Sequence, residues 1–270
     1  MFFALWKAER LKLRRSPVWL AFFILPIFPA FFGTVNYLNN LTLLDDEWYS
    51  LWTQHTLFSC YFFLPLVVGI YCAYLWRLEH NGHNWNQALT VPAPRVLLVL
   101  AKLTSALVMA AGMLLWTLVL FVASGKLCGI TAPLPPELPL WFAGGLAGAA
   151  VVCSLQLFLG LLFRAFAVPV GLAMVGGIAG LAGLSKGFGL FCPYSLLCMG
   201  MKANNPWREL DYPAFALSCV LFFLLFTALS AAYLNRRDSS MHFSAPRGFP
   251  NKEREEMSGF TRRQCPPGRR

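Results

Sequence analysis

Charged residues are scarce in this sequence. Only 13% of its 270 residues are Asp, Glu, Lys or Arg, whereas about 25% is usual in soluble domains. Hydrophobic residues make up 57%, and they fall in long runs rather than alternating with polar residues. This composition excludes a soluble globular domain and indicates that lipid is the solvent for most of the chain.

The sequence also lacks the motifs of a nucleotide hydrolase. No G-x-x-x-x-G-K-[ST] phosphate loop occurs in the chain, so ATP hydrolysis would require a separate subunit. H-E-x-x-H is absent as well, which leaves a membrane protease without support. Few ionisable residues occur inside the apolar runs, and this argues against proton-coupled transport. We therefore predict a chain that is not an enzyme and has no cofactor.

The net charge of +10 is concentrated in short segments at the ends of the apolar runs. Basic residues in such positions meet anionic headgroups, so we predict membrane lipid and not nucleic acid as a partner. His80 and His83 are three residues apart, but a zinc site needs a third or fourth ligand, and no metal site is predicted. Spacing alone leaves open whether Cys192 and Cys198 form a disulfide.

Six apolar runs are long enough to cross a bilayer. A hydrocarbon core of about 30 Å requires about 20 helical residues, and open strands cannot span lipid because their backbone groups would be unpaired. The predicted fold class is therefore all-α, an integral membrane protein with six transmembrane helices. The predicted spans are 17–37, 56–76, 96–123, 140–163, 167–184 and 212–234.

The distribution of basic residues predicts the orientation, because Lys and Arg are enriched in cytoplasmic loops. Eleven basic residues lie on the side of the amino end and four on the other side. The eleven are Lys7, Arg10, Lys12, Arg14, Arg15, Arg77, Arg95, Lys102, Arg164, Arg236 and Arg237, and the four are Lys126, Lys186, Lys202 and Arg208. We predict a multi-pass protein of the cell membrane with both termini in the cytoplasm.

The two ends of the chain differ from the spans. Residues 1–15 form an amphipathic stretch that is predicted to be an interfacial helix. The residues that define its character are Trp6, Glu9, Arg10, Lys12 and Arg14. Residues 238–270 combine basic residues with Pro, Gly and Ser and lack apolar periodicity, so they are predicted to be a disordered cytoplasmic tail. The predicted domains are thus a six-span domain, 1–237, and the tail, 238–270.

The sequence also supports predictions for the glycines of span five, for the loop 38–54 and for Lys102. The glycines of the fifth span predict close helix packing, with a flexible or re-entrant segment as the alternative. The predicted outer loop 38–54 is interpreted as an aromatic belt beside a solvated acidic turn, with a docking site for a cationic peptide as the alternative. Lys102, near the cytoplasmic end of the third span, is expected to extend its ammonium group to the headgroups.

The segment between the second and third spans mixes a carboxylate, imidazoles, amides and an aromatic side chain. Trp85 and Leu89 are four residues apart and share one face of a helix, and Pro92 and Pro94 would end that helix. A short helix with an apolar knob fits a groove on a soluble partner. The alternative is an ordinary charged loop in which Trp85 anchors at the interface.

The residues of this segment and of the amino end together resemble a known family. In order and spacing, Glu79, Trp85, Leu89, Pro92, Arg95 and Lys102 resemble the segment after the second span in permease subunits of type-2 ABC exporters, in particular the lantibiotic and bacitracin immunity branch. Glu9, Lys12, Arg14 and Ser16 resemble the amphipathic start of the same proteins. The likeness extends over residues 1–237, and it departs from the pattern at His80, Gly82 and His83.

This resemblance implies a function and partners. The spans would form half of a translocation path, paired with a second copy or a paralogous permease. Glu79, Trp85, Leu89, Pro92 and Arg95 would couple the chain to an ABC ATPase subunit. The cargo would be an amphipathic peptide antibiotic or a similar hydrophobic compound, expelled for self-immunity. The alternative is a membrane sensor or assembly subunit that docks a cytoplasmic partner without transport, and a membrane-embedded enzyme is a third class for which no residues are found.

Overall fold

The computed structural model describes residues 1–14, 16–80 and 94–243, and every regular element in these ranges is helical. Apolar runs without alternation form helices because each backbone N–H must find its carbonyl within the segment. In chain order, the α-helices are α1 Phe2–Leu13, α2 Val18–Ile24, α3 Ile27–Asn39, α4 Glu47–Phe58, α5 Leu64–His80, α6 Arg95–Leu127, α7 Leu138–Leu162, α8 Ala167–Ser185, α9 Pro193–Gly200 and α10 Tyr212–Phe243.

The predicted all-α fold with six membrane-spanning helices is confirmed. The helical segments long and apolar enough to span are Val18–Asn39, Glu47–Arg77, Arg95–Leu127, Leu138–Leu162, Ala167–Ser185 and Tyr212–Arg236. Span one consists of α2 and α3, with Pro26 at the junction, where proline cannot donate the hydrogen bond that a continuous helix requires. A separate helix, α1, precedes the spans as predicted.

The second span is longer than predicted, because it begins at Glu47 and not at Thr56. The polar residues at its start are buried, and their hydroxyl groups donate to carbonyls of the same helix, Thr53 to Ser50 at 2.7 Å and Thr56 to Trp52 at 2.6 Å. Such back-bonding satisfies the hydroxyls without lipid or water. Predicting the start from apolar residues therefore placed the boundary too late.

The interpretation of residues 38–54 as an aromatic belt is wrong for its tryptophans. Trp48 and Trp52 are buried, and both rings pack edge-on against Phe121 of α6 with centroids 5.2 and 5.0 Å away. Their indole N–H groups donate to the carbonyls of Ala132 and Met201. Large aromatic rings gain more from such a site than from an interface when the indole donor has a partner.

A π-helical turn, Ser59–Phe63, joins α4 to α5 and is closed by the N–H of Leu64 on the carbonyl of Ser59. Pro65 follows directly, and it has no N–H to donate to the carbonyl of Tyr61. A Cβ atom on Gly177 of span five would overlap that carbonyl, so glycine permits the two spans to touch there. A π turn inside a helix commonly accompanies such a local interruption.

The glycines of span five support the packing interpretation. Gly176 and Gly180 lie against Tyr194 of α9, where a Cβ atom would meet the ring or the backbone, and Ser195 Oγ donates to the carbonyl of Gly180 at 2.7 Å. The short helix α9, between spans five and six, is buried almost throughout. The glycine pattern therefore marks a helix contact and not a break, since α8 runs uninterrupted over Ala167–Ser185.

The chain divides into two compact units, Met1–Ala232 and Tyr233–Arg270. The first unit contains α1, spans one to five, and span six as far as Ala232. In the second unit, the described residues 233–243 are the end of α10, which continues past position 238, the predicted start of the tail. The rest of the predicted tail, 244–270, lies outside the described residues.

Candidate functional site

Four charged side chains from three separate helices meet in one cluster, in which three are buried and the fourth, Lys12, is 40% exposed. Glu9 and Lys12 come from α1, Glu79 from the last turn of α5, and Lys102 from the second turn of α6. Lys102 is fully buried, and Glu9 and Glu79 are each 2% exposed. Burial of charge at this level is rare unless the charges are paired. We refer to these four residues as the ionic cluster.

Each carboxylate of the ionic cluster contacts both ammonium groups. Lys12 Nζ lies 2.8 Å from Glu9 Oε1 and 2.8 Å from Glu79 Oε1. Lys102 Nζ lies 2.8 Å from Glu9 Oε2 and 2.9 Å from Glu79 Oε1. The two negative and two positive charges cancel, which makes the burial of Glu9, Glu79 and Lys102 tolerable.

Lys102 is the centre of the cluster. An ammonium group has three N–H donors, and Lys102 donates to Glu9, to Glu79 and, at 2.9 Å, to the carbonyl of Leu75. Its Nζ also lies 4.8 Å from the ring centroid of Trp76, a cation–π distance. The expectation that Lys102 extends to the headgroups is therefore wrong. Its side chain points inward because three acceptors lie there, the carboxylates of Glu9 and Glu79 and the carbonyl of Leu75.

The cluster perturbs the titration of its α1 members. Burial raises the pKa of Glu9, but the ammonium groups of Lys102 and Lys12 outweigh burial and hold that pKa below its ordinary value. Burial likewise lowers the pKa of Lys12, and the carboxylates of Glu9 and Glu79 more than compensate, so that this pKa is raised. Both shifts favour the charged forms, so the ion pairs are maintained at neutral pH.

Acidification is expected to destabilise the fold through Glu9. A carboxyl with a depressed pKa stabilises the folded state above its unfolded value, 4.5, and this stabilisation is lost as pH falls through the lower folded value. The Tm of the protein in detergent should therefore drop steeply below about pH 4.5, and less steeply in Glu9→Gln. Glu209→Gln, which changes an exposed carboxylate, should keep the wild-type profile. Identical profiles for all three proteins would contradict the assignment.

The other predicted residues of the amino end lie on another face of α1. Arg10 and Arg14 are exposed. The guanidinium of Arg10 lies over the ring of Trp6, 5.2 Å from its centroid. Of the five predicted residues of α1, Glu9 and Lys12 belong to the ionic cluster, and Trp6, Arg10 and Arg14 do not.

The segment predicted to bind an ATPase is only partly described. Glu79 belongs to the ionic cluster, and Arg95 is the first residue of α6. Trp85, Leu89 and Pro92 lie outside the described residues, as does His83. His80 Nε2 lies 3.0 Å from the carbonyl of Gly160. The described parts of the chain contain no group of three metal-ligating side chains, and Cys192 and Cys198 are both free thiols.

A polar network between spans one and two was not predicted from the sequence. Thr34 donates its only hydroxyl proton to the carbonyl of Ala30 at 2.7 Å, so the contact of 2.9 Å between Thr34 Oγ1 and His55 Nε2 requires the imidazole to donate. Asn36, two residues after Thr34, donates to Gln54 at 2.5 Å. The sequence contains a signal for this network, because the polar residues Gln54 and His55 lie close together next to the apolar part of span two.

Residues 183–187 have the Gly-x-Ser-x-Gly spacing in which hydrolases place a nucleophilic serine. The motif acts at a sharp turn between a strand and a helix. Here Ser185 is the last residue of α8, and its hydroxyl donates to the carbonyl of Ala182 at 2.9 Å. The serine is therefore a helix-end residue with a local partner, and the motif carries no hydrolase geometry.

The four members of the ionic cluster all fall in the part of the chain that is similar to a known family. Residues 5–180 match the family described as ABC-2 family transporter protein. No curated protein and no solved structure matches the chain. Permeases of this family are membrane transport components that are not themselves catalytic, and they generally pair with an ABC ATPase subunit. The match covers more than half of the sequence and agrees with the six apolar helices, so the chain belongs to the ABC-2 family of transporter proteins and is a multi-pass permease of an ABC transporter.

Proposed function

We propose that this permease exports an amphipathic peptide antibiotic or a similar hydrophobic compound, driven by a separate ATPase that docks on the segment between spans two and three. The observation that carries the proposal is the position of the ionic cluster. Glu79 stands just before residues 81–93 and Lys102 stands shortly after them, and the two are bonded to each other at 2.9 Å. The two helices that flank the proposed docking segment, α5 and α6, are therefore joined to each other.

The ionic cluster could transmit a motion of the docking segment to three helices. A displacement of the docking segment by an ATPase would pull on the ends of α5 and α6 together, because Lys102 binds both Glu79 and the carbonyl of Leu75. It would also move α1, whose Glu9 and Lys12 contact the same atoms. Separating one partner from a buried ion pair costs about 3–5 kcal/mol. The three helices are thus expected to move as one body and not to slide past one another.

We assign Trp85, Leu89 and Pro92, with Glu79 and Arg95, to the coupling of the permease to the ATPase. The support is the spacing of these residues and their likeness to the same segment in type-2 ABC permeases. The burial of Glu79 narrows its role, because a side chain that is 2% exposed cannot be a direct contact. Glu79 would instead join the ends of α5 and α6 through Lys102, and Trp85, Leu89 and Pro92 would make the contact.

The immunity function and the peptide cargo are supported by the likeness of residues 79–102 and of the amino end to the lantibiotic and bacitracin branch.

The same proposal places both termini in the cytoplasm, which the excess of basic residues on that side supports. It also pairs this chain with a second copy or a paralogous permease. Labelling of an Arg164→Cys variant by a membrane-impermeant thiol reagent in intact cells, above the background of the parent chain, would contradict this orientation.

The proposal is tested first by whether the neighbouring reading frame encodes a Walker-type ATPase, and then by co-expression of that ATPase with the chain. We expect the two subunits to co-purify and a cationic amphipathic peptide to stimulate ATP hydrolysis in lipid nanodiscs. Cells that carry both subunits should tolerate more of that peptide than cells with the permease alone. Co-purification of a sensor kinase in place of an ATPase, or complex formation with no peptide-dependent tolerance, would favour the sensor or assembly role.

A further inference from the structure

A second face of α1 borders a cavity of about 510 Å³ that is separate from the ionic cluster. The cavity lies between α1, the beginning of span one, and spans two and three. Its volume falls within the range of about 300–1,000 Å³ that is common for ligand sites. Most of its lining is apolar or aromatic, and the residues that form the floor are Leu13, Trp19, Phe22, Val108, Met109 and Gly112.

The rim of this cavity is positively charged. Lys7, Arg10 and Arg14 all line it, and because they are three and four residues apart they share one face of the helix. All three are exposed. No acidic residue is among the described residues that line the cavity, since Glu9 turns to the ionic cluster. Among the described residues, no carboxylate that lines the cavity neutralises the cations at its rim.

A cationic rim above an apolar trough selects a ligand with an anionic head and hydrocarbon chains. We propose that this cavity binds one anionic phospholipid, with its phosphate on Arg10 and Arg14 and an acyl chain along Phe22, Val108 and Met109. The location suits this ligand, because an amphipathic helix at a membrane interface lies at the depth of the headgroups. A cationic peptide is disfavoured at the same place by the three like charges.

The packing around α1 gives the lipid a structural consequence. The ionic cluster fixes one face of α1 to spans two and three, and a lipid in the cavity would join the other face to spans one and three. The helix would then be held from both sides at the point where the proposed docking segment is anchored. This inference does not depend on the cargo or on the ATPase, because its readout is retained lipid and not transport.

The experiment is native mass spectrometry of the full chain purified in mild detergent and offered phosphatidylglycerol or phosphatidylcholine. We expect one phosphatidylglycerol per chain on the wild type and weak retention of phosphatidylcholine. The variant Arg10→Gln/Arg14→Gln should retain phosphatidylglycerol about 30-fold less, since two basic contacts with the headgroup are lost. The control Arg164→Gln/Arg236→Gln removes two exposed arginines elsewhere and should retain lipid as the wild type does.

A second variant tests the apolar part of the site without changing charge. Val108 lines the cavity and is 51% exposed, whereas Val119 on the same helix is 48% exposed and does not line it. Val108→Trp should displace the lipid, and Val119→Trp should not. Equal retention by wild type and Arg10→Gln/Arg14→Gln, equal affinity for the two lipids, or displacement by soluble glycerol phosphate would each overturn the proposal. Crosslinking of a Val108→Cys variant to a second copy would also overturn it, because protein would then occupy the groove.

Discussion

Replacing Lys102 with methionine is expected to lower the free energy of unfolding by about 3–5 kcal/mol. Methionine matches the length of the side chain and keeps its packing, but it removes three hydrogen bonds at once. Glu9 Oε2 would lose its lysine partner, and the interior would hold one more negative than positive charge. The measurement is a denaturant titration of the purified protein in detergent, followed by tryptophan fluorescence.

Two further variants separate the ionic cluster from a general loss of charge. Lys126→Met removes an exposed lysine that lies over the ring of Trp48, and we expect a change of about 1 kcal/mol or less. The double variant Glu79→Gln/Lys102→Met restores neutrality, and it should recover part of the loss as a coupling of about 0.5–3 kcal/mol. A Lys102→Met protein as stable as Lys126→Met would show that Lys102 contributes no more than an exposed lysine in a cation–π contact.

Replacing Trp85 with alanine is expected to reduce ATP-driven transport about 30-fold while the permease remains folded in the membrane. A tryptophan that anchors an interface typically contributes 2 kcal/mol or more, which corresponds to a factor of this size in binding of the ATPase. The measurement is peptide uptake into inside-out vesicles, together with pull-down of the ATPase and the Tm of the permease. We expect the first two to fall and the Tm to stay within about 2 °C of the wild type.

Trp207→Ala is the matched control, because Trp207 is 59% exposed and lies in the connection between α9 and α10. It should leave both transport and ATPase binding unchanged. Normal transport by Trp85→Ala would make the segment 81–93 an ordinary loop and remove the coupling assignment. A fall in Tm together with transport would instead place Trp85 in the fold of the permease.

The six spans were predictable because span length is set by bilayer thickness, and each apolar run meets that length. The boundaries were less predictable where polar side chains satisfy themselves within the helix. Thr53 and Thr56 bond to carbonyls one turn back, so the second span continues through residues that counting apolar residues assigns to a loop. The sequence alone does not reveal that these hydroxyl groups are hydrogen-bonded, because their acceptor carbonyls come into reach only once the helix has formed.

The residues of the ionic cluster were identified from the sequence, but their contact with one another was not. Glu9 was placed on an interfacial helix and Lys102 at a headgroup, because each residue was interpreted from its own segment. The contact joins residues 93 positions apart, and no periodicity within α1 or α6 carries information about it. Only the packing of α1 against α6 decides that the two side chains face each other.

The burial of Lys102 also constrains how the protein is made. During synthesis α1 and span two are complete before residue 102 is translated, so Glu9 and Glu79 must remain near water or pair with Lys12 until the third span arrives. An unpaired lysine costs about 2.5–3.5 kcal/mol on the insertion scale at the centre of a span and less near its end, and pairing with Glu9 and Glu79 offsets this cost for Lys102. The amino-terminal helices are thus expected to be the first assembled unit, with release of the third span into lipid and closure of the cluster as a single event.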